Sequence, residues 1–92
     1  MDHHPPLRRN DRLRTEHLDP AILKPMPNAP RHHPKSQKRA LRKSVGAFGQ
    51  VIPILIDAED RIISGLALWQ VAKELGLPEV MIIRIEHLTH RR

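Results

Sequence analysis

The chain has 92 residues, with 16 lysines and arginines against 10 aspartates and glutamates, a net charge of +6, no cysteine and no tyrosine. The lack of cysteine excludes a disulfide scaffold, a cysteine-ligated zinc site and thiol catalysis. The longest apolar run, residues 51–56, is far shorter than the ~18 residues of a membrane span, and the N-terminus has no signal-peptide core. We therefore expect a soluble, cytoplasmic protein without a membrane partner.

The positive charge is confined to the first half of the chain. Residues 1–43 carry 11 basic and four acidic side chains, whereas residues 44–92 carry five basic and six acidic ones. Seven of the nine prolines also lie in the first 34 residues, and such a stretch buries too little apolar surface to offset the entropy of ordering. We predict a disordered basic arm over residues 1–15 and a folded domain over 16–92, which begins with an extended segment and a short strand at 17–24.

A helix is predicted over residues 36–48. Ser36 can cap its N-terminus, and Gly49 stands where a left-handed C-terminal cap belongs. The apolar positions Leu41, Val45 and Phe48 recur at helical spacing, so we expect them to share the face that packs against the domain.

Two strands, a second helix and a further strand are predicted after it. The strands are expected at residues 51–56, 61–64 and 80–85. The first two form a hairpin, in which Pro53 marks a break or an edge. The second helix begins at Gly65 and closes at Gly76. The pattern predicts a small mixed-sheet α/β (α+β) domain with two or three helices and four strands.

The most informative local feature is the pair Ser64 and Gly65, at the junction between a strand and a helix. Such a junction leaves free backbone N–H groups and the positive end of the helix dipole at one point, which favours an anion such as phosphate. Simple capping of the helix by Ser64 is the alternative, and it is the more frequent use of serine at this position.

A longer pattern surrounds this junction. Its segments are residues 23–25 and 28–33, 40–57 (ALRKSVGAFGQVIPILID), 60–65 (DRIISG), 72–80 (AKELGLPEV) and 86–89. Together they resemble the N-terminal domain of the ParB/sulfiredoxin superfamily, over roughly residues 16–89. The resemblance implies a nucleotide-binding α/β module: partition proteins of this type bind CTP, sulfiredoxins bind ATP, and other members are described as nucleases or occur beside DNA methyltransferases.

The resemblance also implies a nucleotide site. In the family, a Gly-Gln-x-x-Pro turn after the first helix borders the nucleotide, and a Gly-x-x-Arg turn at the start of the second helix holds the phosphates. The residues of this chain that match, together with the neighbouring serine, are Gly49, Gln50, Pro53, Ser64 and Gly65. The arginine position is occupied by Leu68, and Leu66 and Ala67 also depart from the pattern.

The loss of this arginine predicts weak or lost binding of CTP or ATP. An arginine–phosphate pair is worth roughly 1.5–3 kcal/mol, so its absence lowers the affinity by about one to two powers of ten. Sulfiredoxin activity is excluded because the chain has no cysteine. Leu66, Leu68 and Trp69 predict an apolar surface for a protein partner or a homodimer; the alternative is that Leu68 lies in the core and Trp69 on its rim.

The basic residues of the arm and of the first helix predict contacts with a polyanion. No acid lies among those of the helix, so neighbouring cations such as Lys38 and Arg42 lack a counter-charge; a solvated helix face is the alternative. The arm has no aromatic side chain to stack on bases, so we expect DNA binding through phosphates without sequence preference. The predicted contacts are Arg8, Arg9, Arg12, Arg14, Lys35, Lys38, Arg39, Arg42 and Lys43.

Metal and acid–base chemistry have less support. The histidines lack the spacing of a chelate, and Asp57, Glu59 and Asp60 are expected to be solvated turn formers. The sequence therefore predicts no metal site and favours a ParB-like, DNA-associated binding module over an enzyme. The alternatives are a small nuclease or nucleotide hydrolase, for which only Glu74 is available in the second helix, and a truncated partner of a DNA methyltransferase or partition system.

Overall fold

The computed structural model describes residues 14–30 and 32–86. Its elements are β1 (Thr15–Leu18), a 3-10 helix (Pro20–Ile22), β2 (Lys24–Pro25), α1 (Lys35–Phe48), β3 (Ile54–Ile56), β4 (Arg61–Ser64), α2 (Leu66–Leu75) and β5 (Val80–Arg84). The mixed α/β domain is confirmed, with five strands in the described residues where four were predicted. Most of the predicted arm and the segment after Glu86 lie outside the described residues.

The five strands form one mixed sheet in the order β1-β5-β3-β4-β2. β5 is antiparallel to β1 and parallel to β3, whereas β4 is antiparallel to β3 and parallel to β2. Alternate residues of β3 and β5 are buried, as expected for strands at the centre of a sheet. The main core cluster contains Leu23, Ile54, Ile56, Ile62, Trp69, Ala72, Val80 and Ile82.

The strand predicted at 17–24 is interrupted. β1 ends at Leu18, and the carboxylate of Asp19 accepts a hydrogen bond of 2.9 Å from the backbone N–H of Ala21. Pro20 follows as the first residue of the 3-10 helix. Because proline has a fixed φ and no N–H to pair in a ladder, the chain turns here and pairs again only at Lys24.

Helix α1 begins one residue earlier than predicted, and Ser36 is not its cap. Pro34 is the N-cap residue, and no side chain caps the helix. Gly49 ends the helix where predicted, and its N–H bonds to the carbonyl of Val45 at 2.8 Å. Its φ of 77° is positive, but with ψ −170° it does not adopt the left-handed helical conformation that was expected of the cap. No residue of α1 is fully buried, and Phe48 is 78% exposed. The prediction that Phe48 packs against the domain was wrong, because α1 packs mainly on α2 and the last turn of α1 is left in solvent.

The hairpin is confirmed, but its first strand begins at Ile54 rather than at residue 51. Pro53 interrupts the apolar run of residues 51–56, since proline has no N–H to donate to a neighbouring strand. Val51 and Ile52, the apolar residues before Pro53, are exposed as a result.

Asp57, which was expected to be solvated, is only 3% exposed. Its Oδ1 accepts backbone N–H groups from Glu59 at 2.8 Å and Arg61 at 2.9 Å, and its Oδ2 accepts Arg61 Nε at 2.9 Å. Burial alone raises the pKa of Asp57, but the hydrogen bonds from Arg61 and Glu59 outweigh it, so the pKa lies below its ordinary value. The buried carboxylate therefore stabilises the β3–β4 turn by accepting these hydrogen bonds.

Helix α2 begins at Leu66, one residue after the predicted start at Gly65, and closes before Gly76 as predicted. Both flanking glycines have positive φ, Gly65 at 104° and Gly76 at 71°. A Cβ on Gly65 would lie 3.2 Å from Cγ1 of Ile54. Both the backbone conformation and the close approach to β3 thus require glycine at the start of α2.

Candidate functional site

A cleft of about 310 Å³ lies at the N-terminus of α2, between that helix, α1 and the segment before β3. Its lining residues are His33, Gln37, Leu41, Ile52, Pro53, Ser64, Gly65, Leu66, Ala67 and Leu68. The structure thus brings together three of the residues predicted for nucleotide binding, namely Pro53, Ser64 and Gly65.

The start of α2 presents backbone donors to this cleft. The first helical bond joins the N–H of Trp69 to the carbonyl of Gly65 at 2.9 Å. Gly65 is the N-cap residue, no side chain caps the helix, and Ser64 is exposed. Within the described residues, no hydrogen bond occupies the N–H groups of residues 66–68. Capping by Ser64 is therefore not the role of this serine, and the geometry has the N–H groups that an anion requires.

The side chains around these donors do not supply positive charge. Among the described residues, no lysine or arginine lines the cleft. Leu66 and Leu68 are half-buried and pack against the core. Of the described residues in the lining, only His33 is titratable, and its Nδ1 lies 3.3 Å from Oε1 of Gln70. Apart from His33, the described part of the cleft thus offers a phosphate only backbone N–H groups and the helix dipole.

Gln50, the second residue of the first motif, lies outside this cleft and bonds to the backbone. Its Nε2 donates to the carbonyls of Ile52 at 2.9 Å and Met81 at 2.8 Å, and its Oε1 accepts the N–H of Met81 at 2.7 Å. The side-chain amide of Gln50 thus bonds to the backbone of β5 at Met81, one residue before Ile82, where the pairing of β5 with β3 begins. Gly49 ends α1 and borders a smaller hollow of about 50 Å³.

Two of the five cations on α1 have a counter-charge within the fold. Lys38 and Arg42 both donate to the carboxylate of Glu74 on α2, and these hydrogen bonds lower the pKa of Glu74. The expectation that the helix lacks a counter-charge was therefore wrong for this pair, because Glu74 lies 32 to 36 residues away in sequence. Glu74 is also engaged rather than free for nuclease chemistry.

The other three cations of α1, Lys35, Arg39 and Lys43, are exposed, and no carboxylate among the described residues pairs with them. Arg14 is exposed directly before β1. Arg8, Arg9 and Arg12 lie outside the described residues.

Trp69 does not contribute to an apolar surface. It is 8% exposed, its Nε1 donates to the carbonyl of Pro20 at 2.8 Å, and Nζ of Lys73 lies 3.9 Å from the ring centroid. The indole therefore joins α2 to the 3-10 helix. Large exposed apolar side chains lie instead on the segment before β3, at Val51 and Ile52, and Ile52 lines the cleft. Pro53, which was predicted to mark a break or an edge, accounts for this exposure because it keeps the two preceding residues out of the sheet.

Neither described helix has the length and apolar character needed to cross a membrane. Within residues 14–30 and 32–86, no three histidine, aspartate or glutamate side chains converge as a metal ion would require.

Comparison with known proteins identifies the fold. No family model and no curated protein matches the sequence, but solved structures do. The C-terminally truncated chromosome-partitioning protein ParB from Caulobacter crescentus, solved with CTP-gamma-S, has a TM-score of 0.70 and 26% identity over 78% of this chain and 44% of its own. A pNOB8-like ParB N-terminal domain has a TM-score of 0.69 and 22% identity, over 80% of this chain and 30% of its own.

Sulfiredoxin from Arabidopsis thaliana has a TM-score of 0.70 and 18% identity, over 79% of this chain and 85% of its own. The chain therefore has the fold of the ParB/sulfiredoxin superfamily, as the sequence predicted. It spans less than half the length of the two ParB chains.

Proposed function

We propose that this domain is a ParB-like, DNA-associated binding module that contacts DNA through phosphates and binds CTP or ATP weakly or not at all. The observation that carries the proposal is where the cations lie. The described residues that line the cleft at α2 include no lysine or arginine, whereas Lys35, Arg39 and Lys43 are exposed on α1 without a carboxylate partner among the described residues.

The composition of the cleft supports weak or lost nucleotide binding. The ParB from Caulobacter crescentus was solved with CTP-gamma-S, and a triphosphate carries several negative charges. Here Leu68 lies at the open N-terminus of α2, where a guanidinium would add roughly 1.5–3 kcal/mol of charge-assisted bonding. Backbone N–H groups and about half a charge of helix dipole are what this cleft offers instead.

The arrangement of α1 supports phosphate contacts. Lys35, Arg39 and Lys43 follow at four-residue spacing, so they form one row about 12 Å long on the helix. A DNA strand carries one phosphate per roughly 3.4 Å of helix axis, so a row of this length reaches several phosphates. The ParB from Caulobacter crescentus was also solved with the centromeric parS site, with a TM-score of 0.62 to this chain. Contacts to phosphates carry no direct sequence information, so we expect no sequence preference.

Fluorescence anisotropy with two unrelated 30-base-pair duplexes tests the DNA contacts. We expect similar affinity for both duplexes and a strong salt dependence. The triple variant Lys35→Ala, Arg39→Ala, Lys43→Ala should flatten the slope of log K against log salt by about 2.7, at about 0.9 per phosphate contact. Lys24→Ala, which removes an exposed cation from β2, is the control and should leave the slope nearly unchanged. Binding that does not respond to salt, or that strongly prefers one duplex, would contradict the proposal.

Calorimetric titration with CTP and ATP tests the nucleotide part. A bound ligand at 100 times its dissociation constant adds roughly 2.7 kcal/mol to the free energy of unfolding, so thermal unfolding with excess nucleotide is an independent readout. We expect no measurable heat at micromolar nucleotide and no shift of the melting temperature. A low-micromolar dissociation constant for either nucleotide would contradict the proposal.

A further inference from the structure

Glu74 lies on α2 opposite two neighbouring cations of α1. Its two carboxylate oxygens accept hydrogen bonds from Lys38 and Arg42, one each. The side chains of Glu74 and Arg42 are 43% and 41% exposed, and that of Lys38 is 21% exposed, so solvent reaches the cluster mainly at the carboxylate and Arg42. Because residues 35, 39 and 43 form one row and residues 38 and 42 form the next, this cluster borders the proposed DNA-contacting row.

We propose that Glu74 acts as an internal competitor for phosphate, which withholds Lys38 and Arg42 from DNA and limits α1 to its outer row of cations. This inference rests on the proposed function and concerns how much of the basic helix takes part in it. Nucleic-acid phosphate is the ligand class that Glu74 excludes.

The physical reason lies in how cations contribute to DNA affinity. A lysine or arginine strengthens binding when it neutralises a phosphate and releases a counterion from the DNA. Lys38 and Arg42 are already paired to a fixed carboxylate, and a phosphate that approaches them also approaches the negative charge of Glu74. The lowered pKa of Glu74 agrees with a carboxylate that stays ionised between its two partners.

The matched pair Glu74→Gln and Glu79→Gln provides the test. Both substitutions remove one negative charge, but Glu79 is exposed in the loop before β5 and has no ion pair among the described residues. Glu74→Gln should release two further phosphate contacts and steepen the anisotropy salt slope by about 1.8, so that between 50 and 200 mM salt it loses about 12-fold more affinity than wild type. Glu79→Gln should leave the slope at the wild-type value.

The double variant Lys38→Ala, Arg42→Ala tests the inference without removing the carboxylate. If Glu74 withholds these cations, their loss should barely change the slope, in contrast to the loss of the three outer cations. Circular dichroism and thermal unfolding check that α1 is retained in each variant.

The outcomes separate the inference from the proposed function. If wild type binds DNA and the variants Glu74→Gln and Glu79→Gln have equal salt slopes, the inference alone is overturned. A flatter slope in the double variant overturns it as well. A wild type that does not bind while Glu74→Gln does supports the inference and overturns the proposed function for the unmodified chain. If neither binds at 50 mM salt, both are overturned.

Discussion

Replacing Leu68 by arginine tests whether the cleft is a phosphate site that lacks only its cation. Leu68 is the third residue of α2, is half-buried and lines the cleft beside Ser64 and Gly65. A guanidinium at this position lies next to the backbone N–H groups of residues 66–68, which no hydrogen bond occupies within the described residues. Leu68→Arg therefore places a cation where phosphate attraction is otherwise limited to the helix terminus.

The expected gain follows from the chemistry of one charge-assisted pair. An arginine–phosphate bond of about 1.5–3 kcal/mol corresponds to roughly 10- to 150-fold tighter binding of CTP or ATP. The substitution also removes apolar contacts of Leu68 with the core, which we expect to lower the free energy of unfolding by about 1–2 kcal/mol. The variant should therefore be less stable when free and gain stability when nucleotide is added.

Calorimetric titration of Leu68→Arg is compared with wild type and with Leu75→Arg. Leu75 is the last residue of α2, 42% exposed and outside the cleft, about 10 Å from residue 68 along the helix. The control thus adds the same charge to the same helix at its other end. Equal nucleotide affinity in the two variants would refute the idea that the start of α2 can serve as a phosphate site.

Three further predictions concern the folded state. Gly65→Ala should lower the free energy of unfolding by about 1–3 kcal/mol, because φ 104° is strained for alanine and its Cβ would lie only 3.2 Å from Cγ1 of Ile54. Gly46→Ala, in open space within α1, should raise the free energy of unfolding by about 0.5–1 kcal/mol, and equal effects in chemical denaturation would contradict this. The folded-state pKa of Asp57 lies below its ordinary value of 3.8. The stability that the Asp57 carboxylate contributes is therefore complete above pH 3.8 and is lost as the pH falls through the folded-state pKa. Urea unfolding of Asp57→Asn should lack this loss, and a pH profile equal to that of wild type would contradict the prediction. Trp69→Phe should cost about 0.5–1.5 kcal/mol, because it removes the hydrogen bond from Nε1 to the carbonyl of Pro20, which keeps only the N–H of Leu23 as a donor. Wild-type tryptophan emission should shift to longer wavelength on unfolding, and emission typical of exposed indole in the folded protein would be inconsistent with the buried ring.

The hairpin and the second helix could be predicted because their signals are local. Gly65 and Gly76 adopt positive φ at the two ends of α2, and the β-branched residues on either side of the acidic turn pair with each other. In both cases neighbouring residues indicate the element, although the first strand of the hairpin begins three residues later than predicted. The start of α1 was predicted one residue too late, because Pro34 and Ser36 are both plausible residues for a helix start and local signals do not choose between them.

The surroundings of individual side chains could not be predicted, because they depend on pairs far apart in sequence. Trp69 bonds to a carbonyl 49 residues away, and Lys38 bonds to a carboxylate 36 residues away. Periodicity places such residues on one face of a helix but does not show what lies opposite that face. The predicted apolar surface at Trp69 and the predicted lack of a counter-charge on α1 were wrong for this reason.

Contacts within the fold weaken the motif residues as evidence for nucleotide binding. The amide of Gln50 pairs with the backbone of β5, and Gly65 is required by its φ and by the approach of β3. The fold alone therefore accounts for both residues, whether or not a nucleotide binds. By contrast, no contact among the described residues accounts for the charges of the outer row of α1, residues 35, 39 and 43. A binding partner is thus better sought on α1, where the side chains have chemistry that folding does not use, than in the cleft, where the matching residues already serve the fold.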